Sequence, residues 1–547
     1  IAQQINYQAN PRTGALQALT IAGDPQGMNW LVATDGSQYS WIKENYGCGL
    51  GYCTQIKGNR QDEVHLNVPV EIRQGGKEII YFAGDIRILV KRYMRDEDLV
   101  EEYIFRNLGN EHISLADIGI YTPFNDNYPN SQTCINARTN THIWEGDNAA
   151  YVNALRMGGY APHLGLVVTK GAVKSYEIWE RGNDKANSHT RGIIALNLPD
   201  IQLEPGKEYS IFWRLFSHKG IDDFQQKVLE KGSVFVSCNK YVFEKGETAR
   251  IELAGASGVQ KCIVKKNSSI TPMYKEGDKW IAEIVMDQLG EVHLDISYGT
   301  NKQTHATCLV ISNVDSLIQK RVDFILNHQQ MKGSDRRKDA FMVYDNEKNE
   351  IYLNNTPNCN PVDRDEGAER VGMGVLLAKY YQLHPSSEIK ESLLRYTKFL
   401  RNRLQESDYK TFSSVDRKGR NRAYNYAWVS ELYFQMYGIT KDKQYAVDGY
   451  KTLRSMFRQF GHGFYAIGIP VRLGLQMLKT AGMQTEYETL KNDYIRVGDT
   501  FVKNGLNYPA SEVNYEQSIV APSIMFLLQL YQETGIQKYL DEAKRQM

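Results

Sequence analysis

Across residues 1–230 apolar and polar positions alternate in short runs, broken at intervals by Gly, Asn, Asp and Pro. Stretches such as "EVHLNVPVEIRQ", "EIIYFAGDIRILVKRYMR", "VEEYIFRNLG", "ISLADIGIYTPF" and "YSIFWRLFSH" are rich in β-branched and aromatic residues, as strands with one buried face are. So many strands with almost no helical period predict a large antiparallel sandwich. A short helical connector, "IDDFQQKVLEKG", follows it. Residues 233–312 repeat the pattern on a smaller scale, from "VFVSCNKYVFEKGETARIELAG" to "HATCLVIS", and predict an immunoglobulin-like sandwich. The Cys…Trp…Cys spacing of antibody domains is absent, so a spacer role is expected for it.

From "VDSLIQKRVDFILNHQQM" onward the period lengthens to that of helices. Residues 313–547 read as nine helices, at roughly 315–331, 368–384, 386–405, 424–437, 441–460, 470–481, 484–504, 518–534 and 536–547. Helices that are apolar all round or rich in small residues ("GMGVLLAKYY", "AYNYAWVSELYFQMY", "IPVRLGLQML", "APSIMFLLQLY") alternate with helices charged on one face. The apolar ones begin near 368, 424, 470 and 518, a period of about 50 residues that marks a repeated helical hairpin. Hairpins of inner and outer helices predict an (α/α)6 toroid. A full ring needs twelve helices and nine are read, so either the ring is truncated, the preferred expectation, or the toroid is smaller. The fold class is therefore multidomain β + α: an N-terminal antiparallel β-super-sandwich, a small Ig-like β-sandwich, and a C-terminal (α/α)6 toroid over 313–547.

Composition narrows the function. Lys+Arg 65 against Asp+Glu 64 leaves a net charge of +1, which gives no basic field for nucleic acid. Tyrosine is abundant, 35 residues against 18 Phe and 7 Trp; it suits a carbohydrate surface, and equally a tyrosine-rich core. None of the seven cysteines falls in a CxxC pair, which argues against zinc and thioredoxin-type sites. A single bridge, Cys48 with Cys53 or Cys262 with Cys308, is compatible with the sequence. No apolar stretch is long enough to span a bilayer. The start "IAQQINYQ" resembles an end left by leader removal, so a periplasmic or extracellular location is expected. With no phosphate loop or metal cluster in the sequence, no cofactor and no metal are expected. Self-association is left open.

Each inner helix is preceded by a polar, aromatic loop: "NNTPNCNPVDRDEGAER", "SSVDRKGRNRAYNY", "FGHGFYAIG" and "NYPASEVNYEQS". In a toroid all four open on one end of the ring, where helix N-termini favour an anionic ligand. The first loop carries Asp363, Asp365, Glu366 and Glu369 among Arg364 and Arg370; glycoside hydrolysis needs two carboxyls, while helix capping is the plainer use of such residues. The second sets Arg417, Lys418, Arg420 and Arg422 before Tyr424, Tyr426 and Trp428, which suits a uronic acid or, more simply, a solvated basic turn. In the third, His462 and Tyr465 could serve β-elimination of a uronate, although a lone histidine beside glycines is more often structural. In the fourth, Ser518 and Pro522 start the helix without Glu512 or Glu516, which leaves both glutamates for chemistry.

The stretches "GDPQGMNWLVATDG…NYGCGLGY", "DRDEGAERVGMGVLLAKYY" and "YPASEVNYEQSIVAP" resemble six-hairpin glycosidases, and glycoside hydrolase family 154, the β-glucuronidases, in particular. Domain order fits: the sandwich leads and the toroid trails, whereas in chondroitin- and heparin-type lyases the toroid comes first. The resemblance implies an exo-acting glycoside hydrolase that releases a terminal uronic acid from an acidic oligosaccharide. Its carboxyl pair is expected among Glu512, Glu516, Asp365 and Glu366. Arg364, Arg370, Arg420 and Arg422 would hold the substrate carboxylate, and Tyr426, Trp428, His462, Tyr465 and Tyr515 would line the pocket. A polysaccharide lyase on the same helices, or a non-catalytic glycan-binding protein, is the alternative.

Overall fold

The computed structural model describes residues 3–32, 46–126, 130–179, 193–256, 258–353, 367–417, 421–465, 467–509, 512 and 517–547. The chain divides into two compact units, Ile1–Asn313 and Val314–Met547.

In the first unit, an eight-stranded antiparallel sheet runs in the order Thr139–Trp144, Tyr151–Arg156, His163–Lys170, Glu208–His218, Asp98–Asn107, Ile86–Arg95, Glu78–Ala83, Glu71–Arg73. A six-stranded sheet contains Ser175–Trp179, Ile193–Asn197, Ile113–Tyr121, Gly51–Lys57 and Arg60–Leu66, with Ile201–Leu203 beside Ile113–Tyr121. One hydrophobic core draws on both, with Ile79, Ile88, Phe105 and Trp213 from the first sheet and Cys53, Leu115, Ile120 and Ala195 from the second. Two neighbouring strands of the second sheet come so close that a Cβ at Gly51 would lie 2.1 Å from the Gly119 carbonyl oxygen, so only glycine fits there.

The two-residue period also carries charge inward. On Ile86–Arg95 it buries Ile86, Ile88, Val90 and then Arg92. Arg92 faces Glu101 across the sheet, and Glu101 faces Trp213 on its other side. The Arg92 Nε–H donates to Glu101 Oε1 at 2.7 Å and the Trp213 Nε1–H to Oε2 at 2.9 Å, so both carboxylate oxygens are satisfied in the core. The Arg92 guanidinium also donates to the Gly14 carbonyl.

Two helices decorate these sheets. The first, α1 (Ser131–Ala137), was not foreseen; Asn130 caps it by accepting from the Thr133 N–H. The second, α2 (Ile221–Glu230), is the expected connector, and buries Phe224 and Val228 against Val167 and Phe216. Beyond it lie a four-stranded sheet (Phe235–Cys238, Thr248–Ala254, Lys279–Val285, Tyr274–Glu276) and a five-stranded one (Val242–Glu244, Lys302–Ile311, Gly290–Tyr298, Cys262–Lys266, Ser269–Pro272). They share a core that includes Ile251, Leu253, Trp280, Leu294, Ile296 and Val310. All six described cysteines are thiols, so neither Cys48–Cys53 nor Cys262–Cys308 is bridged.

The second unit is helical: α3 (Val314–Phe324), α4 (Val371–Leu383), α5 (Ser387–Phe399), α6 (Ala423–Thr440), α7 (Lys443–Phe460), α8 (Val471–Thr480), α9 (Gln484–Asn504), α10 (Gln517–Thr534) and α11 (Gln537–Gln546). These are the nine segments expected, shifted by a few residues. α3 and α5 each run into a π-helical turn, at Ile325–Gln329 and Leu400–Leu404. The even-numbered helices α4, α6, α8 and α10 pack in series, and each packs on the helix that follows it, α5, α7, α9 and α11. The amphipathic α7 shows why: Ala446, Gly449, Leu453, Met456 and Phe457 form one buried stripe. A Cβ at Gly449 would lie 2.9 Å from the Phe434 ring, so its absence lets α7 approach α6.

Candidate functional site

The starts of α4 and α6 are joined by a side-chain ion pair, and residues of the loops before α8 and α10 bear on the same start of α6. Ahead of α4, a 3-10 turn at Ala368–Arg370 sets Glu369 with its side chain nearly buried. Arg422, at the N-cap of α6, donates from Nη1 to Glu369 Oε1 at 3.0 Å, which joins the first loop to the second. Before α8, Gly468 lies against α6: a Cβ there would stand 3.1 Å from Trp428 Cδ1. Glu512, before α10, acts electrostatically on both Tyr424 and Tyr465.

Within this cluster Tyr424 and Trp428 lie four residues apart on the first turns of α6, so one face of the helix presents both. Their rings stack at 6.2 Å between centroids and 21°. The Arg422 guanidinium sits 5.7 Å from the Tyr424 centroid. Burial raises the Tyr424 phenol above its ordinary value and the Glu512 charge raises it further, while Arg422 pulls it down. Burial likewise raises the Glu512 carboxyl. The site thus holds a cation paired with a carboxylate, a phenol kept in its protonated form, and a carboxyl of raised basicity.

Other residues singled out from sequence lie elsewhere. Tyr426 is fully buried in the helical core, and its hydroxyl bonds Asn421 and Gln459. Tyr465 is buried between Phe501 (4.2 Å, 14°) and Tyr508 (4.5 Å, 29°). Both rings are covered on their faces by protein. His462 stacks on Phe457 at 4.8 Å, and its Nε2 lies 2.9 Å from Asp493, a carboxylate that also pairs with Arg454. It ties the third loop to α7 and α9. Arg370 lies partly buried within electrostatic range of the Tyr396 phenol, in the company of Glu369. Arg364, Asp365, Glu366, Arg420, Tyr515 and Glu516 lie outside the described residues.

Tyr424 and Glu369 stand among the loop residues noted in the sequence but not among those expected to form the site. The four-residue spacing of Tyr424 and Trp428 was the available signal: it selects Tyr424 over Tyr426, which falls on another face of α6. A cavity of ≈ 480 Å³ opens among α4, α6, α8 and α10, lined by Lys379, Glu431, Ile467, Leu473 and Met525 among others, and by none of the seven described candidates. Among the described residues no group of three or more His, Cys, Asp and Glu could hold a metal ion, and no helix is long and apolar enough to cross a membrane.

A family of unknown function, DUF5695, matches residues 196–368. No curated protein sequence matches the chain. Among solved structures, the polysaccharide lyase BACCELL_00875 is 62% identical, over 100% of this chain and 82% of its own, with a TM-score of 0.97. A metagenome-derived glycoside hydrolase family 9 endoglucanase is 9% identical over 58% of this chain and 83% of its own, with a TM-score of 0.27. A family 76 glycoside hydrolase from a bovine Bacteroides thetaiotaomicron strain is 11% identical over 49% of this chain and 89% of its own, with a TM-score of 0.20. The last two likenesses are too slight to carry an argument.

Proposed function

Because the chain belongs to the polysaccharide lyase family of BACCELL_00875, we propose that it cleaves an acidic polysaccharide at a uronic acid by β-elimination. The same kinship overturns the expectation of a glycoside hydrolase of the β-glucuronidase type. The alternative weighed beside it, elimination instead of hydrolysis, is the one that stands.

Elimination at a uronate breaks the C5–H bond, places that electron pair in a new C4=C5 double bond, and expels O4, which takes up a proton. Three services are needed: neutralisation of the carboxylate so that C5–H becomes acidic, a base for that proton, and an acid for O4. Arg422 supplies the cation, with Glu369 holding its guanidinium at the mouth of α6. Glu512, its basicity raised by burial, accepts the C5 proton. Tyr424, held protonated by burial and by the Glu512 charge, donates to O4. Trp428 offers an aromatic face beside it. The observation that carries this reading is the meeting of Arg422, Tyr424 and Glu512, three groups from two loops and one helix start, in a family of lyases.

The finer architecture belongs with this reading. The two large sheets form a super-sandwich over 1–230, the smaller pair an immunoglobulin-like sandwich over 233–312, and the hairpins of 313–547 part of an (α/α) toroid whose helix starts face the substrate. A polymeric substrate does not cross the inner membrane, which supports a periplasmic or extracellular enzyme.

The test is digestion of a panel of uronic-acid polysaccharides, followed by ultraviolet absorbance of the conjugated uronate and by mass spectrometry in oxygen-18 water. Unsaturated ends free of the label are expected. Saturated ends carrying the label would return the chain to the hydrolases.

A further inference from the structure

The chain passes from one small sheet to the other over five residues, and a pair of thiols spans that crossing. Cys238 ends the edge strand Phe235–Cys238 of the four-stranded sheet, where it pairs with Ile251 alone. The Asn239 N–H still bonds back to that sheet, at Arg250 O (3.1 Å). By Tyr241 the chain has joined the other sheet: its carbonyl accepts from the Leu309 N–H at 2.8 Å, and Val242 begins a parallel pairing with Leu309. Cys308 is the residue just before Leu309. The crossing therefore brings the Cys308 backbone beside the segment that starts at Cys238, Cys238 packs against the core that holds Cys308, and each thiol acts on the other, while the Cys238 Sγ–H donates to Asn239 Oδ1 at 3.4 Å. Cys308 is buried in the shared core, while Cys238 lies half-buried at its edge.

We propose that Cys238 and Cys308 form a disulfide when the protein meets a disulfide donor, stapling the two sheets at their crossing. The two thiols are unequal in a way that suits the reaction. Cys238 accepts a hydrogen bond from Cys308 and others from the Lys240 and Asn239 N–H groups, which together bring its thiol down to about 7 against the opposing effect of burial. The half-exposed Cys238 thiolate attacks one sulfur of the donor and expels the other as a thiolate. Cys308 then attacks Cys238 Sγ and expels the second donor thiol. In sum the two cysteines lose two protons and two electrons, one S–S bond forms, and the donor, an oxidised dithiol oxidoreductase or oxidised glutathione, is reduced. The buried Cys308 never has to meet the donor. The four other described thiols, Cys48, Cys53, Cys134 and Cys262, are buried, and burial raises each of them, so they are poor first attackers.

The loop closed runs from 238 to 308 and encloses almost the whole small sandwich, the case in which a cross-link restrains the unfolded chain most. It also fixes a strand that, among the described residues, pairs with a neighbouring strand on one side only.

The experiment treats the purified full chain with oxidised glutathione at neutral pH, alkylates the remaining thiols, and maps unreduced peptides by mass spectrometry. A Cys238–Cys308 linked peptide is expected as the dominant bridge, with a melting temperature several degrees above that of the reduced protein. Dithiothreitol should reverse the rise, and Cys238→Ser, a change at a half-exposed position, should show none. Recovery of both cysteines as alkylated thiols from the treated wild type, or of a lasting glutathione adduct on Cys238, overturns the proposal, as does a melting temperature that oxidation leaves unchanged or lowers.

Discussion

His163 and His218 predict how the first unit responds to acid. Their rings lie 5.2 Å apart, both buried, on strands that face each other in register. His163 accepts the Arg156 backbone N–H at its Nδ1 (3.0 Å), so protonation there would orphan a buried donor. His218 donates from Nδ1 to the Gly220 carbonyl at 3.1 Å. Burial, helped by the neighbouring His163, brings His218 from 6.5 down to about 4; the Gly220 and Leu164 carbonyls and the Asp223 carboxylate oppose this only in part. Above pH 6.5 neither the folded nor the unfolded chain protonates this residue, and stability is untouched. As pH falls below 6.5 the unfolded chain takes a proton that the folded chain refuses, so stability drops until pH reaches about 4. The fall from 6.5 to about 4, at roughly 1.4 kcal/mol per pH unit, is worth about 3 kcal/mol, a sizeable share of a domain's stability. The assay is urea denaturation of wild type and His218→Asn at half-unit steps from pH 7.5 to 4, with Asn chosen to keep a donor near the place of Nδ1. The wild-type midpoint should fall faster than that of the variant, and the gap between them should close or invert near pH 4. Parallel curves would refute the linkage.

Three substitutions test other parts of the structure. Glu101→Ala leaves the Arg92 guanidinium buried without its carboxylate and should destabilise the first unit by about 3–5 kcal/mol, read as a lower urea midpoint, whereas breaking a solvated surface pair such as Arg73–Glu71 should leave the midpoint nearly unchanged. Tyr424→Phe should lower kcat by about 100-fold to 10,000-fold with little change in melting temperature, because it removes a proton donor and no packing. Tyr426→Phe should do the reverse, costing about 1 kcal/mol through the lost Gln459 and Asn421 bonds and leaving kcat intact. If the two tyrosine variants behaved alike, the assignment of one to the site and the other to the core would fail.

The helices were legible to within a few residues because their two signals, apolar stripes and a hairpin period of about 50 residues, reinforce each other. The π-helical turns that end α3 and α5 were not, since nothing in "ILNHQ" or "LRNRL" distinguishes them from α-helix. In the first unit Thr139–Trp144 and Tyr151–Arg156 escaped notice because their polar residues sit where strand alternation should be apolar, while α1 is too short to show a period. The position of Arg92 was legible from the parity of its strand, but its burial contradicts residue type and needs Glu101 from the next strand to make sense. At the site, Arg422 and Glu512 stood out as charges placed just before apolar helices. Their partners could not be read, because Glu369 is 53 residues from Arg422 in sequence. The reaction itself was hidden for a chemical reason: hydrolysis and elimination at a uronate recruit the same residue types, a cation for the carboxylate, a proton acceptor and a proton donor. Domain order, the remaining guide, favoured hydrolysis, and kinship with a lyase overrode it.

What separates the two reactions is the demand on the substrate carboxylate. A hydrolase needs that group only as a handle, whereas in elimination its charge directly opposes loss of the C5 proton and must be quenched in the transition state. This gives Arg422 a signature that a binding role lacks. If the guanidinium neutralises the carboxylate as C5–H breaks, Arg422→Ala should lose about 10-fold to 100-fold in kcat on an ionised uronate polymer, the worth of a hydrogen bond to a charged group. On the methyl-esterified form of the same polymer there is no charge to quench, so the ester should narrow the gap between wild type and variant severalfold. Salt should not substitute for the ester, because the pairing of Arg422 with Glu369 at 3.0 Å aims the cation, and screening by mobile ions has no direction. An equal loss on ionised and esterified polymer would reduce Arg422 to a handle and leave the neutralising charge to be sought elsewhere in the first two loops.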